Sequence, residues 1–230
     1  MPGLPELNLI LLGPPGSGKG TQGERLQEDF RVPYYATGDI LRAAVKEGTE
    51  VGQQAKEHMD RGDLVPDEVI IGVIAERLQG EEASDGFILD GFPRTVPQAE
   101  ALDSKMKELR REITGAILID VPEGEVLRRL GGRRTCEKNP SHIYHVEFDP
   151  PEKEGVCDID GGRLVVRDDD EPELIKNRLA QYREKTEPLI DYYEDRGILN
   201  RVDGQRSPDE VEERIHGIIA TLRREDEMEI

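Results

Sequence analysis

The sequence is short of three things, and each shortage excludes a class of protein. Two of its 230 residues are cysteine, Cys136 and Cys157. That is too few for a disulfide framework, so stability has to come from a buried core. Nowhere does the chain hold the roughly 18 consecutive apolar residues of a membrane span. Its N-terminus also lacks the basic segment and apolar core of a secretory signal. The expectation is a soluble, cytoplasmic protein with no membrane partner. Basic residues are the third shortage: 31 Lys and Arg against 50 Asp and Glu leave a formal net charge of −19. Nucleic-acid binding needs the opposite balance and is excluded. The acidity fits an ordinary solvated surface or adaptation to high salt. On such a chain a site for polyphosphates must gather its cations locally, so clustered arginines are informative.

What is present begins with the apolar run Leu9-Ile10-Leu11-Leu12, followed directly by Gly-Pro-Pro-Gly-Ser-Gly-Lys-Gly-Thr at 13–21. A buried strand entering a glycine turn that opens a helix leaves successive backbone N–H groups facing one concavity. The positive end of the helix dipole lies there too. Lys19 adds an ammonium that reaches the outer phosphates of a nucleotide. The pattern departs from the strict phosphate-binding loop, G-x-x-x-x-G-K-[ST]. Gly20 stands where a metal-binding hydroxyl is usual, and the hydroxyl comes one place later, at Thr21. That disfavours motor ATPases and switch GTPases.

Unbroken apolar strands at 7–12, 32–35, 86–90, 116–121 and 198–202 alternate with helical patterns at about 21–30, 39–47, 50–61, 67–79, 96–111, 123–131, 172–194 and 208–224. Pro66, Pro97, Pro122, Pro172 and Pro208 sit at or near predicted helix starts. The pattern predicts a three-layer α/β fold around a five-stranded parallel sheet. There is no internal repeat or low-complexity segment, and the last residues from about Arg224 are expected to fray. Two stretches break the alternation. Between Thr37 and Val65 two helices follow each other without a strand. From Gly132 to about Asp170 the pattern turns irregular, with β-like pieces at 142–148 and 163–167. An insert of that length inside a compact domain is usually functional.

Asp90 ends the strand Phe87-Ile88-Leu89, at the sheet edge where α/β proteins bind ligands. A carboxylate there can hold Mg²⁺ directly or through water, or it can cap the next helix. Asp39 is a secondary candidate for the same shell, with a helix cap as its alternative. Arg42 and Arg94 suit a phosphate, because a planar guanidinium grips two oxygens at once. The amide of Gln98 can both donate to and accept from an adenine edge.

These pieces resemble adenylate kinase over essentially the whole chain. The resemblance rests on 13–21, Thr37-Gly38-Asp39-Ile40-Leu41-Arg42, the run Phe-Ile-Leu-Asp-Gly-Phe-Pro-Arg-Thr at 87–95 with Gln98, Gly132-Arg133-Arg134, and Arg167-Asp168-Asp169-Asp170. It implies a P-loop kinase core of residues 1–35, 66–131 and 171–230, a helical AMP-binding insert at 36–65, and a small β-rich lid at 132–170 of the long form. It implies direct, reversible transfer of a phosphoryl group from Mg·ATP to AMP, giving two ADP, by a monomer. Thr37 and Gln98 favour AMP over pyrimidine acceptors. UMP/CMP or GMP kinases are the nearest rivals, and a nucleotide-binding switch is the rival from another class.

By the same resemblance, ATP falls to Gly16, Ser17, Gly18, Lys19, Gly20 and Thr21, with Arg129, Arg133, Ile143, Tyr144 and Arg206. AMP falls to Thr37, Arg42, Asp63, Leu64 and Val65, to the turn Gly91, Phe92, Pro93 and Arg94, and to Gln98, Arg167 and Arg178. The catalytic set is Lys19, Asp90, Arg94, Arg129, Arg133, Arg167 and Arg178. Arg128 and Arg134 are expected in surface ion pairs. Some long-lid members hold structural zinc on cysteines. Here Asn139 occupies one ligand position and is a poor ligand, so the set would be Cys136, His142, Cys157 and Asp160. A hydrogen-bonded polar cluster or a disulfide are the alternatives.

Overall fold

Along Leu7–Leu12 (β1) every residue is buried, but the side chains divide. Leu7, Leu9 and Leu11 join one hydrophobic cluster, while Ile10 and Leu12 join another. Strand alternation sends successive side chains to opposite faces, so an unbroken apolar run means a sheet covered on both sides. In the computed structural model, which describes residues 6–228, β1 lies at the centre of that sheet. The other strands are Tyr34–Ala36 (β2), Gly86–Asp90 (β3), Gly115–Asp120 (β4) and Leu199–Asp203. All pair in parallel, in the order β2-β3-β1-β4 and then Leu199–Asp203. The predicted five-stranded parallel sheet is present.

The helices are Lys19–Phe30 (α1), Thr37–Glu47 (α2), Glu50–Arg61 (α3), Asp67–Leu78 (α4), Val96–Leu109 (α5), Glu123–Gly132 (α6), Pro172–Gln181 (α7), Pro188–Glu194 (α8) and Pro208–Met228 (α9). Leu26 of α1, Val126 and Leu130 of α6, Ile175 and Leu179 of α7, and Val211, Ile215 and Ile219 of α9 fill one face of the sheet. Ile70, Ile74 and Leu78 of α4, Ala99, Leu102 and Met106 of α5, and Leu189 and Tyr193 of α8 fill the other.

Several boundaries differ from expectation for physical reasons. β2 starts two residues late because Pro33 has no N–H to give a ladder. The predicted helix over 172–194 is two helices joined by a π-helical turn, Tyr182–Thr186, closed by Glu187 N–H to Tyr182 O at 2.8 Å. Pro188 cannot donate the next α-helical bond, and the wider turn absorbs that loss. Helix α9 extends through Met228, past the expected end near 224; residues 229–230 lie outside the described residues.

Within 132–170 lies a second, antiparallel sheet: Arg133–Cys136 (β5), Ile143–His145 (β6) and Leu164–Val165 (β7), with β5 in the middle. The last strand of the parallel sheet, Leu199–Asp203, is thus β8. β5 was missed because its start, Arg133-Arg134, reads as polar and follows α6 with no connecting residue. No described helix is long and apolar enough to cross a membrane.

Candidate active site

Strand β1 ends at Leu12, and the chain turns through Gly13 (φ 141°) and Gly18 (φ 104°) into α1. A Cβ on Gly13 would lie 2.5 Å from the backbone oxygen of Ile119, so the turn needs glycine there both for its conformation and for its fit against β4. Lys19 folds back over this loop, its ammonium donating to the carbonyls of Gly13 (2.8 Å) and Pro14 (2.9 Å). Burial, chiefly, lowers its pKa to about 8; Asp90 opposes the shift, while Arg94, Arg178 and Arg133 add to it.

The C-terminal end of β3 supplies the facing wall. Asp90 accepts a hydrogen bond from the Tyr34 hydroxyl at 2.8 Å, and its backbone oxygen accepts one from Thr37 Oγ1 at 3.1 Å. The α5 cap is Thr95, whose hydroxyl accepts from Gln98 N–H, so Asp90 is not a helix cap. Asp39 lies in the first turn of α2, inside the helix, and pairs with Arg42 at 2.6 Å. Arg94 donates through Nε to Gly91 O at 2.8 Å, and its backbone N–H is held by Gln98 Oε1 at 2.7 Å. The amide of Gln98 also donates to Asp67 Oδ1 at 2.6 Å. One N–H of that amide therefore remains for a base. From the π-helical turn, Thr186 donates to Arg94 O at 2.9 Å. Burial and the charge of Arg178 lower the pKa of Arg94.

The remaining arginines converge from three segments. Arg129 on α6 donates to Ser17 O (3.3 Å) and Gly204 O (2.8 Å) and pairs with Glu125 at 2.9 Å. Arg133, at the start of β5, grips Asp170 with two bonds of 2.7 Å. Arg178 of α7 shares the same carboxylate at 3.0 Å and reaches Asp169 at 3.2 Å. Arg42 lies 3.6 Å from Asp169. Burial would raise Asp169, but Arg178, Arg42, Arg133 and Arg167 outweigh it and lower its pKa. Arg167 is held by Thr135 Oγ1 and Pro140 O. Burial and the charges of Arg133 and Arg42 bring its pKa down to about 10. Crowded guanidiniums with a shortfall of anions are an arrangement that anionic ligands relieve.

Lys19, Asp90 and the six arginines line one cleft of about 980 Å³, the upper end of the range for a small-molecule site, while Asp170 lies buried behind it. Every sequence-predicted nucleotide residue borders it except Phe92, whose side chain is buried in the hydrophobic core and anchors the turn from beneath. Tyr144 borders the cleft, but its ring packs with Cys136, Cys157 and Leu164 in the core of the small sheet. The residues on either side of it, Ile143 and His145, carry the opposite face of the strand. His145 stacks on Phe148 with centroids 4.2 Å apart, and both line the cleft. Sequence reasoning missed these two, although alternation about Tyr144 was the available signal. It also missed Tyr34, Thr186 and Gln205, and it quoted Asp169 and Asp170 in a motif without giving them a role. Arg128 pairs with Glu147 as expected of a surface residue, whereas Arg134 bonds backbone oxygens of Gly131 and Arg133.

Away from the cleft, Cys136, His142, Cys157 and Asp160 meet with their ligand-type atoms all within 4.8 Å of one another. Cys136 Sγ lies 3.2 Å from Asp160 Oδ1, Cys157 Sγ 3.4 Å from His142 Nδ1, and His142 Nδ1 3.2 Å from Asp160 Oδ2. Both cysteines are buried free thiols and not a disulfide. Asn139 stands outside this set, 3.0 Å from the other ring nitrogen of His142.

Comparison with known proteins agrees with this geometry. A family model described as "Adenylate kinase" matches residues 11–198. The adenylate kinase of Archaeoglobus fulgidus is 51% identical over 217 residues, covering 94% of this chain and 100% of the relative. That of Oceanobacillus iheyensis is 50% identical over 213 residues, covering 93% of this chain and 99% of its own length. That of Staphylococcus aureus is 48% identical over 216 residues, covering 94% and 100%.

Proposed function

The chain belongs to the adenylate kinase family, and on that premise we propose how its residues divide the work of ATP + AMP = 2 ADP. It is a phosphotransferase, and relatives about half identical over nearly its whole length share that activity by name. Pyrimidine and guanine acceptors, and a non-catalytic switch, find no support among them.

ATP lies with its phosphates on the loop of residues 16–21, under Lys19, Arg129 and Arg133. Its base lies toward Arg206, Ile143, His145 and Phe148, where the stacked ring pair offers an apolar wall. AMP lies opposite, with its phosphate on Arg42, Arg94, Arg167 and Arg178, and its base by Thr37, the 63–65 segment and Gln98. The observation that carries this assignment is the convergence of Lys19 and six arginines on one cleft of a chain with net charge −19. No covalent nucleophile is needed, because the AMP phosphate is itself a competent acceptor. Transfer in line is then a matter of positioning, charge stabilisation and exclusion of water. Segments 36–65 and 132–170 act as the AMP-binding domain and lid that close over the two nucleotides; the adenylate kinase lid is a standard example of such closure.

ATP enters as its Mg²⁺ complex. Asp90 suits that metal: it lines the cleft together with the phosphate loop, Oδ2 is held by Tyr34, and Oδ1 has no hydrogen-bond or ion-pair partner among the described residues. Asp90 would hold the metal through its water shell, and the bound ion would neutralise charge on the outer phosphates. In the 132–170 segment, Cys136, His142, Cys157 and Asp160 are the ligands of a structural zinc. Tetrahedral zinc places its ligand atoms about 3.3–3.8 Å apart; three pairs here lie at 3.2–3.4 Å and all four atoms within 4.8 Å of one another. The site lies wholly within one chain and the surface is strongly acidic, which supports a cytoplasmic monomer that binds neither membrane nor nucleic acid.

Steady-state kinetics test the division of labour. Arg129→Ala raises KM for ATP more than KM for AMP, Arg42→Ala does the reverse, and Lys19→Met lowers kcat heavily without unfolding the protein. The opposite KM pattern overturns the assignment.

A further inference from the structure

The phosphate loop has no hydroxyl at position 20, yet a hydroxyl does come to that place from another element. A Cβ built on Gly20 would lie 3.9 Å from the Tyr34 hydroxyl oxygen, an ordinary contact distance. Tyr34 is on β2, opposite Ile88 of β3, and two residues before Ala36, which is opposite Asp90. Its ring thus runs along the sheet toward the strand ends, and the hydroxyl donates to Asp90 Oδ2 at 2.8 Å.

Helix α1 is shaped to receive this ring. A Cβ on Gly23 would lie 2.2 Å from Tyr34 Cε2, 2.6 Å from Cζ and 2.7 Å from Cδ2. The tyrosine therefore fills the volume that any side chain at 23 would need. Gly20 and Gly23 are three residues apart on one helix face, and together they leave a shallow bed between α1 and the sheet. Neighbouring Tyr35 points to the other side of the sheet, where its hydroxyl meets Glu82 at 3.0 Å. Burial first, and the adjacent Asp90 carboxylate second, push the Tyr34 phenol far up, so it stays a donor. Asp90 is thereby held through one oxygen, and the other has no protein partner among the described residues.

We propose that Tyr34 is a positioning residue for the metal of Mg·ATP: its phenol replaces the hydroxyl absent at Gly20 by locking Asp90 in the rotamer that meets the metal's water shell. The proposal rests on the assignment of Asp90 to that metal. Hydrogen bonds of this outer kind commonly change metal affinity by about tenfold or more when removed.

The test uses the full chain with ATP and no AMP, and Mn²⁺ as the metal probe, with free Mn²⁺ read by electron paramagnetic resonance. Tyr34→Phe keeps the ring in its bed and removes only the hydroxyl. It should weaken Mn²⁺ retention in the enzyme–ATP complex by about tenfold and leave metal-free ATP affinity and the unfolding midpoint near wild type. Asp90→Asn should weaken retention at least as much, and adding Tyr34→Phe to it should cost nothing further. If Asp90→Asn weakens retention and Tyr34→Phe does not, Asp90 keeps its role and the proposal for Tyr34 is overturned. If the two effects add in full, Tyr34 does not act through Asp90, and the proposal is overturned again. If neither variant changes retention, the assignment of Asp90 itself fails and the proposal fails with it.

Discussion

Asp170→Asn is the most searching single change, because one side chain with 0% exposure joins the 132–170 segment to α7. Its carboxylate takes two bonds from Arg133 at 2.7 Å and one from Arg178 at 3.0 Å. Removing the charge leaves two guanidiniums facing each other with half their shared anion gone. Breaking a buried pair by losing one partner costs about 3–5 kcal/mol. Asparagine keeps one acceptor, so the lower end, about 3 kcal/mol, is expected. In a protein of this size that corresponds to a fall of roughly 6–12 °C in the unfolding midpoint. Arg133 and Arg178 also lose the group that aims them, and kcat should fall by about tenfold or more. Nucleotide phosphates can stand in for the missing charge, so ATP with AMP should raise the midpoint of the variant more than that of the wild type. Differential scanning calorimetry, with and without nucleotides, and a coupled ADP assay read both effects. A midpoint within about 2 °C of wild type, with kcat unchanged, refutes the reasoning.

Three further outcomes follow from the same geometry. Lys19 must be protonated to meet polyphosphate and loses its proton as pH rises through about 8; kcat/KM for ATP should therefore be level from pH 6 to 7 and decline above 8, and a profile flat to pH 9.5 contradicts this. Protein purified without chelators should carry about one zinc per chain, Cys157→Ser should lose it, and a metal content far below that removes zinc from the 132–170 segment. Gly52→Ala places a Cβ about 2.1 Å from the backbone oxygen of Ala44, where no rotamer change helps, so α2 and α3 must separate. A cost of about 1–3 kcal/mol should lower the unfolding midpoint and raise KM for AMP above any change in KM for ATP; wild-type values for both would show that the insert yields freely.

The parallel sheet was legible because burial on both faces forces unbroken apolar runs, and the phosphate loop because no other residue tolerates Gly13 and Gly18. β5 was not legible, since two arginines made a strand look like a loop. The π-helical turn was also hidden: Pro188 forbids one hydrogen bond, but only packing decides whether a helix ends or widens. Tyr144 shows a third kind of failure. It borders the cleft, but its ring packs into the core of the small sheet, and only alternation along the three-residue strand signalled that its neighbours carry the other face.

Local chemistry alone pointed to a kinase of nucleotides and nominated the loop and the cations for their phosphates, because those requirements are met by residues adjacent in sequence or by residue types with few substitutes. The tertiary structure decided what holds those cations in place. Asp170 shared between Arg133 and Arg178, Tyr34 bonded to Asp90 across 56 positions, and Cys136 brought to Asp160 across 24 are contacts between segments distant in sequence. No periodicity or motif encodes such pairings, since they exist only once the sheet has set the strands in register.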